Sequence, residues 1–81
     1  MRNYQRQKEP RREATVHPLV RWVWRQMNKQ HASQEDVAKR SGVTSSTMRK
    51  WRVGVRSPRV IELEAVINAL GYKLTVKEKD E

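Results

Sequence analysis

Residues 33–54 read SQEDVAKRSGVTSSTMRKWRVG, and this stretch has the pattern of two short helices joined by a glycine. Ser33 suits the N-cap of the first helix because its hydroxyl can accept an N–H from the next turn. Gly42 suits the end of that helix because glycine adopts a positive φ at little steric cost. Thr44 suits the N-cap of the second helix, which we predict to run to about Arg52. The stretch therefore predicts two helices of about two turns each.

The helical period divides the side chains of this stretch into an inward and an outward set. Apolar and small residues fall on the sides that would face each other and the core: Val37, Ala38, Val43, Met48 and Trp51. Polar and basic residues fall on the opposite side of the second helix: Ser45, Ser46, Arg49 and Lys50. The second helix thus combines a core face with a basic outer face.

The flanking sequence predicts two more helices and one strand. His17-Pro18 opens a helix that fades by about Lys29, and Ser57-Pro58 opens another that ends at Gly71. Residues 72–77 then alternate between apolar and polar side chains, which is typical of a half-buried strand. The predicted fold class is mainly α, a compact bundle of four helices followed by a short C-terminal β-strand.

Length and composition exclude several classes of protein. With 81 residues the chain has room for one domain, and a domain this small leaves little space for an enclosed active site. It has no cysteine, so disulfides and cysteine-ligated zinc are excluded. No apolar run approaches the roughly 20 residues that a membrane-spanning helix needs. We find no nucleophile–base pair, metal-ligand cluster or phosphate loop, and we predict neither an enzyme, nor a cofactor, nor a metal site.

The charge of the chain is strongly basic and unevenly distributed. Lys and Arg total 18 against nine Asp and Glu, for a net charge of +9. Residues 39–59 contain seven basic side chains and no acidic one. Such a block favours contact with phosphates. We divide the chain into a flexible basic arm at residues 1–14, a domain at 15–77 and a frayed acidic tail at 78–81. The arm either lies along DNA or is a tail that no contact orders.

The spacing of residues in the opening stretch resembles that of the lambda-repressor-like and Cro-like helix-turn-helix family. Counted from Gln34, the small residue Ala38 falls fifth and Gly42 falls ninth, with apolar residues at the fourth, tenth, fifteenth and eighteenth positions. The resemblance covers about residues 16–71. Ser41 departs from the pattern, because the family usually places a larger apolar residue there. It indicates a looser core at that point.

The resemblance implies a recognition helix at residues 44–53 that enters the major groove of DNA. The outward side chains of that helix are then the base-reading residues: Ser45, Ser46, Arg49 and Lys50. Arg49 and Lys50 are the stronger readers, since donation to guanine O6 and N7 is the commonest specific contact. Further positions suit phosphate contacts, two by family position and three by charge: Gln34, Thr44, Arg52, Arg56 and Arg59. The alternative is that Arg49 and Lys50 form an ordinary solvated face.

The predicted C-terminal strand needs a partner, because a solitary strand is not stable. Pairing with the same strand of a second subunit, through Tyr72, Leu74 and Val76, would give a homodimer. Its two recognition helices would lie about 34–36 Å apart, which suits a palindromic operator. The alternatives are pairing with residues 14–16 of the same chain or an unpaired extended tail.

These expectations favour a sequence-specific, double-stranded DNA-binding transcriptional regulator, a small repressor of phage or bacterial type. Such a protein would work in the cytoplasm, associated with the nucleoid. The alternative function is an antitoxin-like module that binds a toxin and its own promoter. Antitoxins with this fold exist as a family, and some end in a strand after the core helices.

Overall fold

The computed structural model describes residues 16–80, and within them the chain forms four α-helices. They are α1 (Pro18–Lys29), α2 (Gln34–Ser41), α3 (Ser45–Arg52) and α4 (Val60–Ala69). The prediction of a mainly helical, four-helix domain is confirmed. The predicted arm at residues 1–14 and the last residue of the predicted tail lie outside the described residues.

Local hydrogen bonds fix the starts of α1 and α2 and the end of α2, as the sequence predicts. His17 caps α1 through Nδ1, which accepts the Leu19 N–H at 3.0 Å. Ser33 Oγ accepts the Asp36 N–H at 3.0 Å and caps α2. Gly42 ends α2 with φ at 81°, and its N–H donates to the Ala38 carbonyl at 2.9 Å. These turns are specified by neighbouring residues, so they could be read from short segments of sequence.

We expect Gly42→Ala to lower the free energy of unfolding by about 1–2 kcal/mol. A Cβ at this position would meet nothing within 4 Å, so the cost comes from the positive φ of 81° and not from a clash. Urea denaturation followed by circular dichroism measures it. Gly42→Asn is the matched control and should lose less, because asparagine enters the left-handed region more readily than alanine. A stability gain in the alanine variant would contradict this account.

A single apolar core joins the four helices. Its fully buried side chains come from every helix, and among residues 16–80 the largest are Trp51, Met48, Val20, Val23, Val37 and Val66. Trp51 and Met48 belong to α3, so the helix predicted to read DNA is anchored by two large apolar side chains. The prediction that these two residues face inward is confirmed. The opposite face of α3 is left to solvent as a consequence.

The predicted start of the last helix is wrong by two residues. Ser57-Pro58 was expected to supply the cap and the first helical residue, but α4 begins at Val60 and its N-cap is Arg59. Arg59 has an extended backbone with φ at −76° and ψ at 149°, so the chain is not yet helical after Pro58. No side chain caps this end of α4 with a hydrogen bond. Residues 53–59 therefore form a longer loop than expected between α3 and α4.

The predicted C-terminal strand is not supported. Residues 72–80 form neither helix nor strand. The physical reason is that no strand within residues 16–80 is present to pair with this segment, while its first apolar side chains pack on helices instead. The Tyr72 ring meets the Trp22 ring edge-on at 4.9 Å, and its hydroxyl donates to Gln26 Oε1 at 3.1 Å. Leu74 is half-buried against the core, whereas Val76 is 94% exposed.

Candidate nucleic-acid interface

A side-chain amide locks the first helix of the helix-turn-helix unit onto the second. Gln34, the first residue of α2, donates from Nε2 to the Ser45 carbonyl at 3.0 Å and to Ser45 Oγ at 2.9 Å. Both contacts are partly buried. They hold the N-terminal ends of α2 and α3 side by side. Helix N-termini carry unpaired N–H groups and suit phosphate binding, so two such ends are brought together at this edge.

The outer face of α3 presents three of the four predicted base-reading side chains to solvent. Ser46, Arg49 and Lys50 are exposed, whereas Ser45 is half-buried beside Gln34. Because Ser45 Oγ already accepts a hydrogen bond from Gln34, its own hydroxyl proton remains for an outside acceptor. The structure thus brings the predicted readers to one face, with Ser45 at the N-terminal edge of that face.

The Thr44 hydroxyl forms its hydrogen bonds within its own helix. Its Oγ1 accepts the Thr47 N–H at 3.1 Å and donates to Thr47 Oγ1 at 2.8 Å. The prediction that Thr44 caps α3 is confirmed. The hydroxyl donor is used within the chain, so any phosphate contact at Thr44 would come from its backbone N–H.

The loop after α3 folds back onto the end of that helix. The Lys50 carbonyl accepts the N–H of Val55 at 3.0 Å and that of Arg56 at 3.3 Å, and Gly54 turns the chain with φ at 82°. Arg56 is therefore held next to the C-terminal turn of α3, and its side chain is exposed. Arg59 is also exposed, just before α4. The loop thus ties the backbone of one predicted phosphate-binding residue, Arg56, to the end of α3, and Arg59 follows it at the start of α4.

Arg52 is placed differently from the other predicted phosphate-binding residues. Its guanidinium carbon lies 5.9 Å from the centre of the Trp24 ring, within the range of a cation–π contact. The contact directs Arg52 toward α1. An arginine stacked on an aromatic ring keeps its hydrogen-bond donors available, so the contact orients Arg52 without using them.

Asp36, one of the two acidic residues of α2, is paired within its own helix. Asp36 pairs with Arg40 at 2.9 Å, and Arg40 also donates to the Ala69 carbonyl at the end of α4. This pair therefore lies toward α4. Four exposed basic side chains on α3 and the loop after it form no hydrogen bond or ion pair with another described side chain. They are Arg49, Lys50, Arg56 and Arg59. These four exposed basic side chains are therefore available to an anion.

Residues 16–80 contain neither a cluster of metal-ligand side chains nor a helix that could span a membrane. No group of three or more His, Cys, Asp or Glu side chains is placed there to hold a metal ion. No helix in that part of the chain has the length and apolar character needed to cross a membrane.

Comparison with known families decides the class of protein. Residues 24–77, well over half of the chain, match the sequence model of a family described as helix-turn-helix. The chain belongs to this helix-turn-helix family. The resemblance to lambda-repressor-like proteins is thereby confirmed. No curated protein and no solved structure matches the chain. Membership of the helix-turn-helix family supports a DNA-binding regulator, and the match spans the interface described above.

Sequence reasoning missed the contacts that position this helix-turn-helix unit. Gln34 was predicted to touch phosphate, but its link to Ser45 was not foreseen, nor was the contact between Arg52 and Trp24. The first had a signal, a side-chain amide at the start of one helix and a small polar residue at the start of the next. The second joins residues 28 positions apart and has no local signal.

We expect Gln34→Ala to lower the free energy of unfolding by about 1–3 kcal/mol, because it removes two partly buried hydrogen bonds that join α2 to α3. The measurement is urea denaturation monitored by circular dichroism. Glu35→Ala, at the next and exposed position, is the control and should change stability by less than about 0.5 kcal/mol. Equal losses in the two variants would mean that the link to Ser45 contributes nothing.

Proposed function

We propose that this helix-turn-helix protein is a sequence-specific transcriptional regulator, a small repressor of phage or bacterial type acting at the nucleoid in the cytoplasm. The observation that carries the proposal is the outer face of α3. It is exposed, basic and rigidly anchored by Trp51 and Met48, with no acidic side chain between residues 39 and 59. A helix with these properties suits insertion into the major groove. No catalytic role is proposed.

The proposed contacts divide into base readers and phosphate binders. Arg49 and Lys50 donate to base edges, with Ser45 and Ser46 making short contacts at the N-terminal part of α3. Gln34, Thr44, Arg56 and Arg59 contact phosphates on either side of the groove. Arg52 joins the phosphate binders in this proposal, with Trp24 setting the direction of its side chain.

Selection of bound fragments from a random pool of double-stranded DNA tests the proposal. A repressor of this kind should enrich a consensus of about one half-site per recognition helix, repeated as a palindrome. Absence of any enriched sequence, with binding that depends only on salt, would overturn sequence-specific regulation. Electrophoretic mobility shifts with the selected and a scrambled sequence would then give the ratio of specific to non-specific affinity.

We expect Arg56→Ala to weaken binding to the selected sequence and to random DNA by similar factors, because a phosphate contact carries no sequence information. The slope of log affinity against log salt concentration should fall by about 0.9. Fluorescence anisotropy at several salt concentrations measures both quantities. Lys29→Ala is the matched control, since it removes one positive charge from an exposed position on α1, outside the proposed DNA and dimer contacts. Equal effects in the two variants would show that only net charge matters.

A palindromic operator requires two copies of the chain, so we propose that the protein binds DNA as a homodimer. Residues 72–76 are the proposed contact. Tyr72 and Leu74 are partly held by their own chain, which leaves Val76, 94% exposed, as the apolar side chain most available to a partner. Sedimentation velocity with and without DNA tests this. A monomer at tens of micromolar, even on a palindromic site, would overturn it.

A second candidate function is an antitoxin-like module that binds both a toxin and its own promoter. The observation that favours it is segment 73–80, which forms no helix or strand and is exposed at every position except Leu74, so that it is open to a protein partner. Co-expression with the protein encoded beside it, followed by co-purification, tests this function. Loss of the complex on deletion of residues 73–81 would support it, and the absence of any complex would oppose it.

A further inference from the structure

An apolar cavity lies on the core side of the loop between α3 and α4. Its volume is about 380 Å³, and its apolar lining includes Leu19, Val20, Pro58, Val60, Leu63 and Leu74. This volume falls within the range of about 300–1,000 Å³ in which proteins bind small molecules. Val60 lines the cavity and is 72% exposed, so it belongs to the rim and the cavity is open to solvent.

Three residues with polar side chains belong to the described lining: His17, Arg56 and Ser57. Arg56 is the one cationic side chain among them that is charged at every ordinary pH. His17 accepts the Leu19 N–H at Nδ1, so its neutral ring carries a proton on Nε2 that can be donated. The described lining is thus apolar apart from one cationic residue, a second donor and Ser57, and no acidic side chain among residues 16–80 belongs to it.

Trp51 supplies an independent observation. It lines the cavity and is 1% exposed, and its buried Nε1–H has no hydrogen-bond partner among residues 16–80. A buried donor without an acceptor is unfavourable, and native proteins rarely leave one unpaired. Because the Trp51 side chain lines the cavity, its indole N–H signal can report on a ligand bound there.

We propose that the cavity binds a small monocarboxylate with an apolar body. The hydrocarbon part fills the space between Leu19, Val60 and Leu63, and the carboxylate accepts hydrogen bonds from Arg56 with His17 as a second donor. Charge excludes an organic cation from the same place, because Arg56 would repel it. An uncharged ligand with the same hydrocarbon part would gain the apolar contacts but not the charge-assisted hydrogen bonds.

Binding at this site would oppose DNA binding, and this step rests on the proposed function. Arg56 is one of the proposed phosphate binders, and its backbone is tied to the end of α3 through Lys50. A carboxylate that holds Arg56 competes with a phosphate for the same guanidinium. By linkage, the ligand then lowers DNA affinity by the same factor by which DNA lowers ligand affinity.

Titration of the full chain with decanoate, followed by ¹H–¹⁵N NMR, tests the site without DNA. The Trp51 indole N–H is the reporter, assigned by comparison with Trp22→Phe and Trp24→Phe, which remove the other two indole signals. We expect a saturable shift of this signal with a Kd on the order of 0.1–1 mM. Decanol and decyltrimethylammonium should bind at least about 10-fold more weakly, because they lack the carboxylate.

Two substitutions in the first turn of α4 form a matched pair. Val60→Trp fills the rim and should weaken decanoate at least about 10-fold, whereas Ile61→Trp, at a neighbouring position that is 73% exposed and outside the lining, should leave it unchanged. Arg56→Ala should weaken decanoate about 10-fold. The proposal is overturned by an unmoved Trp51 signal, by equal affinity in both tryptophan variants, or by decanol binding as tightly as decanoate. It is also overturned by nuclear Overhauser contacts placing residues 1–15 inside the cavity.

Anisotropy measurements with the selected DNA then test the regulatory step. Saturating decanoate should lower the DNA affinity of the natural chain and leave that of Val60→Trp unchanged. Unchanged affinity in the natural chain would overturn the regulatory step alone. If the protein selected no DNA sequence, the proposed function would be overturned. The NMR titration would still test whether the cavity binds a carboxylate.

Discussion

Replacement of Trp51 by alanine is expected to lower the free energy of unfolding by about 3–5 kcal/mol. Among residues 16–80, Trp51 is the largest fully buried side chain, and it joins α3 to the rest of the core. Its loss would enlarge a region that already borders a cavity of about 380 Å³. At about 0.05–0.15 kcal/mol per residue, a domain of this length is stable by only about 4–12 kcal/mol. Trp51→Ala should therefore leave a large unfolded fraction at 37 °C.

Urea denaturation followed by circular dichroism at 222 nm measures the effect of Trp51→Ala. Trp51→Phe is the informative control, because it keeps an aromatic ring in the core and removes the Nε1–H that lacks a partner. Its loss should be less than half that of alanine. Trp24→Ala, at a half-buried position, should also cost less. A loss below about 1 kcal/mol in Trp51→Ala would contradict the role of this side chain as the anchor of α3.

Replacement of Arg49 by alanine is expected to weaken binding to the selected DNA sequence by about 1–3 kcal/mol, or roughly 5- to 150-fold. Arg49 is exposed on the outer face of α3 and has no other described partner, so its guanidinium is available to a base edge. The preference at one base pair should relax. Affinity for random DNA should fall much less, which separates this variant from Arg56→Ala.

The measurement for Arg49→Ala is fluorescence anisotropy with the selected sequence and with every single substitution at each half-site. Arg25→Ala, an exposed arginine on α1, provides the same change of charge away from α3 and should preserve the base preference. If Arg49→Ala weakened specific and random DNA equally, Arg49 would be a phosphate binder or part of a solvated face.

The parts of the fold that the sequence predicts are those determined by near neighbours. Ser33 and Thr44 were predicted as caps and Gly42 as a left-handed turn, and each depends on atoms within four residues. The inward direction of Met48 and Trp51 follows from helical periodicity, which also places Arg49 and Lys50 outside. The candidate interface could therefore be outlined from one continuous stretch of 22 residues, 33–54.

The parts that could not be predicted depend on distant contacts. The alternation in residues 72–77 indicates one half-buried face, and the same pattern fits a strand or an extended chain packed on helices. Tyr72 is held by Trp22 and Gln26, which are 50 and 46 positions away, so the sequence pattern alone could not choose. The cavity beside α4 is a second example, because its lining joins residues of α1 to residues of the loop after α3, which are distant in sequence.

The two hydrogen bonds that the Lys50 carbonyl accepts set a spacing within the proposed DNA-binding surface. They hold the backbone of Arg56, a residue proposed to bind a phosphate, against that of Lys50, a residue proposed to read a base. DNA whose backbone lies at another distance from the base edge must bend or narrow its groove to satisfy both. Base steps that are never touched would then influence affinity through their stiffness.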